Sequence, residues 1–311
     1  MLKIVYAGTP EFALPCLKKI NESDMEILAV LTQPDRPAGR GMKIKESPIK
    51  KYAKDKQLLY FQPEKIDEEF TKSIKELRPD VLIVAAYGII LPKHFIDIFP
   101  KKAFNIHASI LPKWRGAAPI QRAIMHGDNQ IGVTIMEVVE KLDAGNIFLI
   151  KSFDRDPNKT SGDYFEILAN DGADLMMQHL NNIQLGLPLE SIAQVEEEVT
   201  YAKKISKSEA YLNLENKAES IVNMVMALNP FPISRISFRQ KEVKIFHAEL
   251  TNISSIENQP GSINLSEDLL VSTGDFYIKI NSIQVSGGQM LTGKEFIKNY
   301  QLKTAEKFSN V

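Results

Sequence analysis

The segment Ala103–Arg122, AFNIHASILPKWRGAAPIQR, contains the pattern that decides how the fold is interpreted. It begins as a β-strand, because apolar residues alternate with polar ones. Two of the polar residues, Asn105 and His107, therefore project from the same face of the strand. The strand stops at LP (111–112), and the turn GAAP (116–119) starts the next helix. An amide and an imidazole at the end of a strand suit carbonyl chemistry, although an edge strand with two solvated polar side chains has the same pattern.

The composition is that of an ordinary globular protein. The 311 residues are 44% apolar and 25% charged, with a formal net charge of −1. This length suits two domains or one large one, and the balanced charge restricts any nucleic-acid binding to a local patch. The single cysteine, Cys16, excludes an intramolecular disulfide and a multi-cysteine metal site, and its apolar setting favours a packed core thiol. The N-terminus runs straight into a strand without a signal peptide, and no apolar run reaches membrane-spanning length, so we expect a cytoplasmic protein with no membrane partner.

Strands and helices alternate down to about residue 188, which predicts an α/β domain with a mostly parallel sheet. The nearly continuous apolar run DVLIVAAY at 80–87 fits a central strand that is buried on both faces. A dinucleotide-binding site is a poor fit, because GTPEF at 8–12 lacks the required glycine spacing and no acidic residue ends the second strand.

The pattern changes after residue 188. Residues 189–207 are polar and connecting, residues 208–228 have helical spacing, and short β-rich runs bounded by Gly, Ser, Asn or Pro follow from Ile233. We therefore predict a catalytic domain over 1–188, a linker over 189–207, and a second domain over 208–311 that contains a small antiparallel β-barrel.

The segment Pro34–Lys51 has the composition of a long loop. Its prolines and glycines disfavour regular structure until Ser47-Pro48, which predicts a helix start, and its six basic residues outnumber two acidic ones. Long loops inside compact domains are usually functional or disordered. From the residues alone, this segment is either a solvated run of charges or an arm that binds phosphates.

Three polar residues, Asn105, His107 and Asp143, are predicted beyond the carboxyl ends of strands, where ligands of open parallel sheets bind. An amide, an imidazole and a carboxylate suit the transfer of an acyl or formyl group to an amine. The amide can hold the oxyanion that forms on attack, while the imidazole and the carboxylate can move protons. The nucleophile pattern G-x-S-x-G is absent, which favours direct transfer over a covalent intermediate.

Two blocks of the sequence resemble the folate-dependent formyltransferases. The first, NIHASILPKWRGAAPIQ, resembles their N-x-H-x-S-L-L-P-x-x-R-G-x-x-P-x-Q motif, and the second, GVTIMEVVEKLDAGNI, contains their D-x-G. The resemblance covers essentially the whole chain and is strongest to the branch that formylates initiator methionyl-tRNA. Its further members are VYAGTPEF (5–12), TQPDRPAGRG (32–41), AAYGIILP (85–92), TYAKKISKSEA (200–210) and NPFP (229–232).

The resemblance implies a reaction and a role for each site residue. The formyl group of 10-formyltetrahydrofolate would pass to the α-amino group of methionine on initiator tRNA, without a metal, in a monomer with a Rossmann-like first domain. Asn105 would hold the formyl oxygen, His107 would stabilise the intermediate, and Asp143 would assist proton transfer. An OB-like second domain would hold the tRNA backbone. The folate would contact Ser109, Ile110, Leu111 and Pro112, and the tRNA acceptor region would contact Arg36, Arg40, Lys43 and Lys45.

Two alternatives stay open at this point. An enzyme with the same catalytic block could use another acceptor, namely a nucleotide sugar, glycinamide ribonucleotide or water, although the ribonucleotide enzyme usually lacks the basic insertion and the C-terminal barrel. An RNA-binding module with an inactive catalytic domain would have no need to retain Asn105, His107 and Asp143. Outside these three residues, Arg115 is expected to stabilise the local turn, and the remaining histidines are expected to be structural or solvated.

Overall fold

The structure, a computed structural model, describes residues 1–38, 43–265, 267–303 and 306–310. The chain forms two compact units, which are described in turn. The first comprises Met1–Gly116, Gly132–Phe153 and Phe165–Tyr201, and the second comprises Ala117–Ile131, Asp154–Tyr164 and Ala202–Val311. The boundaries predicted from the sequence, at residues 188 and 208, divide the chain into consecutive segments, whereas each of these units contains three segments. The functional division into a catalytic domain, a linker and a second domain stays a prediction.

Strands and helices alternate over the first two hundred residues. The strands are β1 (Lys3–Gly8), β2 (Glu26–Leu31), β3 (Arg36–Ala38), β4 (Lys43–Lys45), β5 (Tyr60–Phe61), β6 (Val81–Ala85), β7 (Ala103–His107), β8 (Arg115–Gly116), β9 (Gln130–Glu137), β10 (Ile147–Asp154) and β11 (Tyr201–Ala202). The helices are α1 (Leu14–Asn21), α2 (Pro48–Asp55), α3 (Glu68–Glu76), α4 (Lys93–Ile96), α5 (Pro119–His126) and α6 (Ser161–Gln184), with 3₁₀ turns at Glu11–Ala13 and Glu196–Glu198.

Seven of these strands form one sheet in the order β10-β9-β7-β6-β1-β2-β5. The pairs β1–β2, β1–β6, β2–β5 and β6–β7 are parallel, whereas β9 runs antiparallel to β7. The mostly parallel sheet is therefore confirmed. The strand β6, from within DVLIVAAY, lies at its centre with all of its residues buried, as the continuous apolar run predicted.

The strand β7 lies between β6 and β9, which excludes the solvated edge strand considered from the sequence. Behind it, the ring of Phe104 packs edge-on against His179 of α6, with centroids 4.3 Å apart, and against Phe148 of β10 at 5.2 Å. His179 is 2% exposed, and its burial lowers the pKa of the imidazole to about 4. An aromatic cluster thus supports the strand that carries Asn105 and His107.

The segment after β2 contains a hairpin where an irregular loop was predicted. The strands β3 and β4 pair antiparallel, with Arg36 opposite Lys45. Residues 39–42, which include Arg40, lie outside the described residues. The loop prediction is wrong for the two strands, because an isolated two-stranded ladder tolerates a proline such as Pro37, which cannot donate to an inner strand.

The second unit is built on an antiparallel sheet in the order β12-β13-β16-β15-β14, with β17 beside β16. The single helix predicted over 208–228 is wrong at residues 211–217, where the chain is irregular. The elements are β12 (Ser234–Phe238), β13 (Lys241–Ser254), β14 (Ile263–Leu265), β15 (Leu269–Ser272), β16 (Phe276–Val285), β17 (Leu291–Thr292), α7 (Ala218–Ala227) and α8 (Gly293–Tyr300), with a 3₁₀ turn at Lys207–Ala210.

One segment near the end of the chain joins the two edges of this sheet. Ser309 forms an antiparallel bridge with Ser237 of β12, and Lys307 forms one with Ser262, which immediately precedes β14. Because the same segment hydrogen-bonds to both edge strands, the sheet closes into a barrel. Phe308 of this segment is fully buried in the aromatic core of the barrel.

Among the residues described, no helix combines the length and the apolar composition that crossing a membrane requires. The thiol of Cys16 is buried, as its apolar setting predicted.

Candidate active site

The strand β7 carries two of the three predicted catalytic residues on one face. Asn105 is half-buried and His107 is 5% exposed. The Nε2 of His107 lies 2.9 Å from the carbonyl oxygen of Trp114. A carbonyl oxygen can only accept a hydrogen bond, so Nε2 carries the hydrogen, and Nδ1 carries the lone pair of the neutral ring.

Asp143 lies on the turn between β9 and β10 and faces this ring. Its Oδ2 is 3.7 Å from Nδ1 of His107 and accepts a 2.9 Å hydrogen bond from the backbone N–H of Gly116. The backbone of Asp143 is left-handed, with φ of 48°, a conformation that aspartate adopts more readily than most residues. The structure therefore brings the imidazole and the carboxylate together from two separate segments.

Gly145 explains the spacing of the D-x-G sequence in this turn. A Cβ atom at this position would lie 2.0 Å from the backbone oxygen of Glu137 on β9. Any other residue would push the turn away from the strand and would move Asp143 with it.

Asn105 differs from the other two residues in its contacts. Its side-chain amide makes no hydrogen bond to the part of the chain that the structure describes, and the residue is partly open to solvent. Both N–H donors of the amide are therefore free of the described residues and can point at the oxygen of a bound substrate.

The four residues predicted to contact the folate differ in what their side chains do. The hydroxyl of Ser109 donates to the backbone oxygen of Lys113 at 2.7 Å. Leu111 packs in a small apolar cluster with residues of β9 and β10. Both side chains are buried and hold the loop in place, whereas Ile110 and Pro112 are half-exposed and can contact a ligand.

Thr134, which sequence reasoning missed, supports this loop from β9. It pairs with His107 across the two strands. Its buried hydroxyl donates to the backbone oxygen of Ser109 at 2.7 Å and accepts from the N–H of Leu111 at 3.2 Å. The sequence feature that could have revealed Thr134 is its polar side chain within GVTIM, the otherwise apolar start of the second formyltransferase-like block.

Three of the four residues predicted to bind tRNA, Arg36, Lys43 and Lys45, lie on the strands β3 and β4. Arg36 and Lys45 are exposed at opposite positions of the ladder. The side chain of Lys43 and the whole of Arg40 lie outside what the structure describes. The described part of the hairpin thus presents two accessible positive charges.

An ion-pair cluster fixes the base of this hairpin. The Nζ of Lys50 lies 2.5 Å from Oδ2 of Asp35 and 3.5 Å from Oε1 of Glu46. Hydrogen bonds from Lys50 and Gln62 hold the pKa of the Asp35 carboxyl below its ordinary value. Ser47 caps α2 as predicted, since its hydroxyl accepts a backbone N–H from the first turn. Lys50 therefore serves the fold rather than adding to the exposed charge.

Arg115 is fully buried and paired within the chain. Its Nε donates to Oε1 of Gln194 at 3.0 Å, and both of its terminal nitrogens lie 3.2 Å from Oε1 of Glu196. These contacts attach the segment of Arg115 to residues 194–196, whereas the expectation was that Arg115 stabilises its local turn.

The fold and the site together define a class of enzyme. The last residues of β7, in a mostly parallel sheet, carry an amide and an imidazole of fixed tautomer, and a carboxylate from the turn between β9 and β10 faces the imidazole. These are the groups that direct transfer of a small acyl group to an amine requires. The molecule is in this respect an acyl-group transferase of the formyl transferase type.

The comparison with known proteins identifies the family. The family described as "Formyl transferase" matches residues 2–180, and "Formyl transferase, C-terminal domain" matches residues 204–301. The chain is 38% identical over 311 residues to the methionyl-tRNA formyltransferase of Sulfurihydrogenibium sp. (strain YO3AOP1), covering 99% of this chain and 100% of that protein. It is 39% identical to the methionyl-tRNA formyltransferase of Methylobacillus flagellatus, with the same coverage. The chain belongs to the methionyl-tRNA formyltransferase family and is a transferase.

Solved structures share the fold at lower sequence identity. A sugar 3N-formyl transferase, WlaRD, crystallised in the presence of dTDP and 5-N-formyl-THF, matches with a TM-score of 0.69 and 20% identity, covering 93% of this chain and 99% of that one. The methionyl-tRNA formyltransferase from Clostridium thermocellum matches with a TM-score of 0.57 and 18% identity, covering 81% and 95%.

Proposed function

We propose that this chain transfers the formyl group of 10-formyltetrahydrofolate to the α-amino group of methionine on initiator methionyl-tRNA. The membership of the family supports the reaction and the acceptor. The observation that carries the assignment of residues is the approach of Asp143 to His107, 3.7 Å from Oδ2 to Nδ1, beside the available amide of Asn105.

Asn105 holds the formyl oxygen. When the amine attacks the formyl carbon, negative charge develops on that oxygen, and a donor already in place stabilises it. The amide of Asn105 is suited to this role because it has no partner among the described residues and lies on the same strand face as the imidazole.

His107 and Asp143 carry out the proton transfers. The attacking amine must lose a proton, and the folate nitrogen that leaves must gain one. The Nε2–H of His107 is fixed on the Trp114 carbonyl, so Nδ1 is the nitrogen that accepts a proton on the side of Asp143. The carboxylate then stabilises the charged ring, and both groups act without a covalent intermediate.

The donor and the acceptor bind to different segments of the chain. The folate lies against Ile110 and Pro112, on a loop that Ser109 and Leu111 hold in place. The tRNA acceptor end meets the hairpin of Arg36, Arg40, Lys43 and Lys45, and the phosphate backbone binds the barrel. The enzyme acts as a monomer in the cytoplasm.

The test is a comparison of acceptors. Purified protein is mixed with 10-formyltetrahydrofolate and, in parallel, with charged initiator tRNA, free methionine, an amino-sugar nucleotide, glycinamide ribonucleotide and buffer alone. We expect formylation of the tRNA-linked methionine only. Faster formylation of another acceptor, or release of formate at the same rate without acceptor, would overturn the proposed acceptor. Tight tRNA binding without any transfer would favour the RNA-binding module.

A further inference from the structure

The segment treated as a linker contributes a side chain to the support of the active site. The amide nitrogen of Gln194 donates to the backbone oxygens of Asp143, at 2.9 Å, and Gly145, at 2.7 Å. The amide oxygen of the same residue accepts from Nε of Arg115 at 3.0 Å. One side chain thus joins the turn that carries Asp143 to the turn that follows the catalytic strand, and both of its N–H donors and its acceptor are used.

The turn of Asp143 needs such a support. Its preceding residues Val139 and Leu142 are 37% and 61% exposed, so little packing fixes them. Exposed turns with few buried contacts open at low cost in free energy. The carboxylate of Asp143 is held at its tip by the N–H of Gly116, while Gln194 holds the backbone on both sides of Ala144.

The other end of this contact is rigid. The guanidinium of Arg115 is fully buried, and it is paired with Glu196. The backbone N–H of Arg115 donates to the backbone oxygen of Thr200 at 2.9 Å. A buried guanidinium that loses its partners is left as an unpaired buried charge, which is costly in free energy. Gln194 is therefore attached to a fixed point.

We propose that Gln194 is a positioning residue for formyl transfer, which holds the turn of Asp143 so that Oδ2 faces Nδ1 of His107. The inference rests on the proposed role of Asp143. A misplacement of about 1 Å at a reacting group can cost about 100-fold in rate. We therefore expect Gln194→Ala to lower kcat by about 10- to 100-fold, with both KM values changed by less than about twofold.

A second substitution separates the two ends of the contact. Gln194→Glu keeps an oxygen that accepts from Arg115 but loses the N–H groups that hold Asp143 and Gly145. We expect a loss of kcat at least as large as for Gln194→Ala, in a protein whose thermal unfolding midpoint stays above the assay temperature. The control is Glu197→Gln, an exposed neighbour in the same segment, which should leave kcat and stability unchanged.

A double-mutant cycle with Asp143→Asn completes the test. If Gln194 acts through Asp143, then adding Gln194→Ala to Asp143→Asn lowers kcat no further. Full activity of Asp143→Asn alone would remove the proposed function of Asp143. If Asp143→Asn is inactive but folded Gln194→Glu has a normal kcat, only the role of Gln194 is overturned. The same holds if the fold-losses in kcat of the two single variants multiply in the double variant. If Gln194→Ala fails to fold, Gln194→Glu provides the same comparison.

Discussion

The catalytic turn and the basic hairpin both carry charged side chains, but they hold them differently. Around His107 and Asp143, backbone groups hold each of these two side chains through a hydrogen bond. On the described part of the hairpin, an ion-pair cluster fixes the base, and Arg36 and Lys45 are exposed. A fixed site can stabilise charge that appears during the reaction, whereas exposed cations attract phosphates with a strength that depends on salt. Substitutions should therefore change turnover in the first region and mainly tRNA binding in the second.

The largest effect is expected for the two residues of β7. His107→Ala and Asn105→Ala should each lower kcat by about 10²–10³-fold, because both act on the intermediate rather than on the bound substrates. KM for the folate should change much less. Steady-state kinetics with both substrates varied measures this. Near-normal turnover of His107→Ala would remove that residue from the mechanism.

Asp143→Asn is expected to have the next largest effect, a loss of about 10²-fold in kcat. The amide keeps the shape of the side chain but cannot take part in proton transfer, so the pH–rate profile should lose one limb. The profile is measured under saturating substrates, beside the unfolding midpoint of the variant. A lower midpoint with turnover intact would mean that Asp143 only stabilises its turn.

The support behind the catalytic strand should be sensitive to acid. In the unfolded chain the imidazole of His179 takes up a proton near its ordinary pKa of 6.5. In the folded protein, burial lowers this pKa to about 4. The folded state is therefore destabilised as the pH falls from 6.5 towards 4, by about 2 kcal/mol at pH 5. Urea unfolding at pH 7.5 and pH 5 should show this loss in the wild type and not in His179→Leu, with exposed His94→Gln as the matched control. An equal pH dependence in wild type and His179→Leu would contradict it.

The smallest effects are expected on the hairpin. Arg36→Ala and Lys45→Ala should raise KM for tRNA several-fold at low salt and leave kcat unchanged, and the difference should fade as salt rises. Lys72→Ala, an exposed basic residue of α3 outside this segment, serves as the control. A loss that persists at every salt concentration would show that these side chains do more than neutralise phosphates.

Arg40, in the same basic segment of the sequence, gives a stricter comparison. Arg40 lies outside the described residues, and the prediction for it comes from its place between Gly39 and Gly41. If the loop also places the methionine amine against the formyl carbon, then Arg40→Ala should lower kcat as well as raise KM. A defect that disappears at saturating tRNA would reduce the loop to a binding patch.

Local patterns predicted the sheet and the catalytic strand. The continuous apolar run around β6 is one such pattern, and the alternation around Asn105 is another. Each of them is contained in a few consecutive residues. The hairpin was missed because Pro37 and its glycine neighbours favour a loop in any local scale, while strand pairing depends on the opposite strand.

The supports of the site could not be predicted in the same way. Gln194 lies in a polar stretch with no periodicity, and its partners at Arg115 and Asp143 are far away in the sequence. The buried state of Arg115 and the hydroxyl contacts of Thr134 likewise depend on the assembled fold. The proposed reacting groups could therefore be predicted from the sequence, whereas the contacts that orient them depend on the assembled fold.

The closure of the barrel by residues 307–309 has a consequence for how the chain folds during synthesis. A ribosome releases the first unit long before these residues, so that its sheet can form early. The edge of β12 at Ser237 and the segment before β14 at Ser262 lack their bridge partners until Ser309 and Lys307 have left the exit tunnel. Contacts between residues so distant in the chain form slowly, and an open strand edge invites pairing with other chains. The barrel is thus most exposed to aggregation in the interval before these residues emerge.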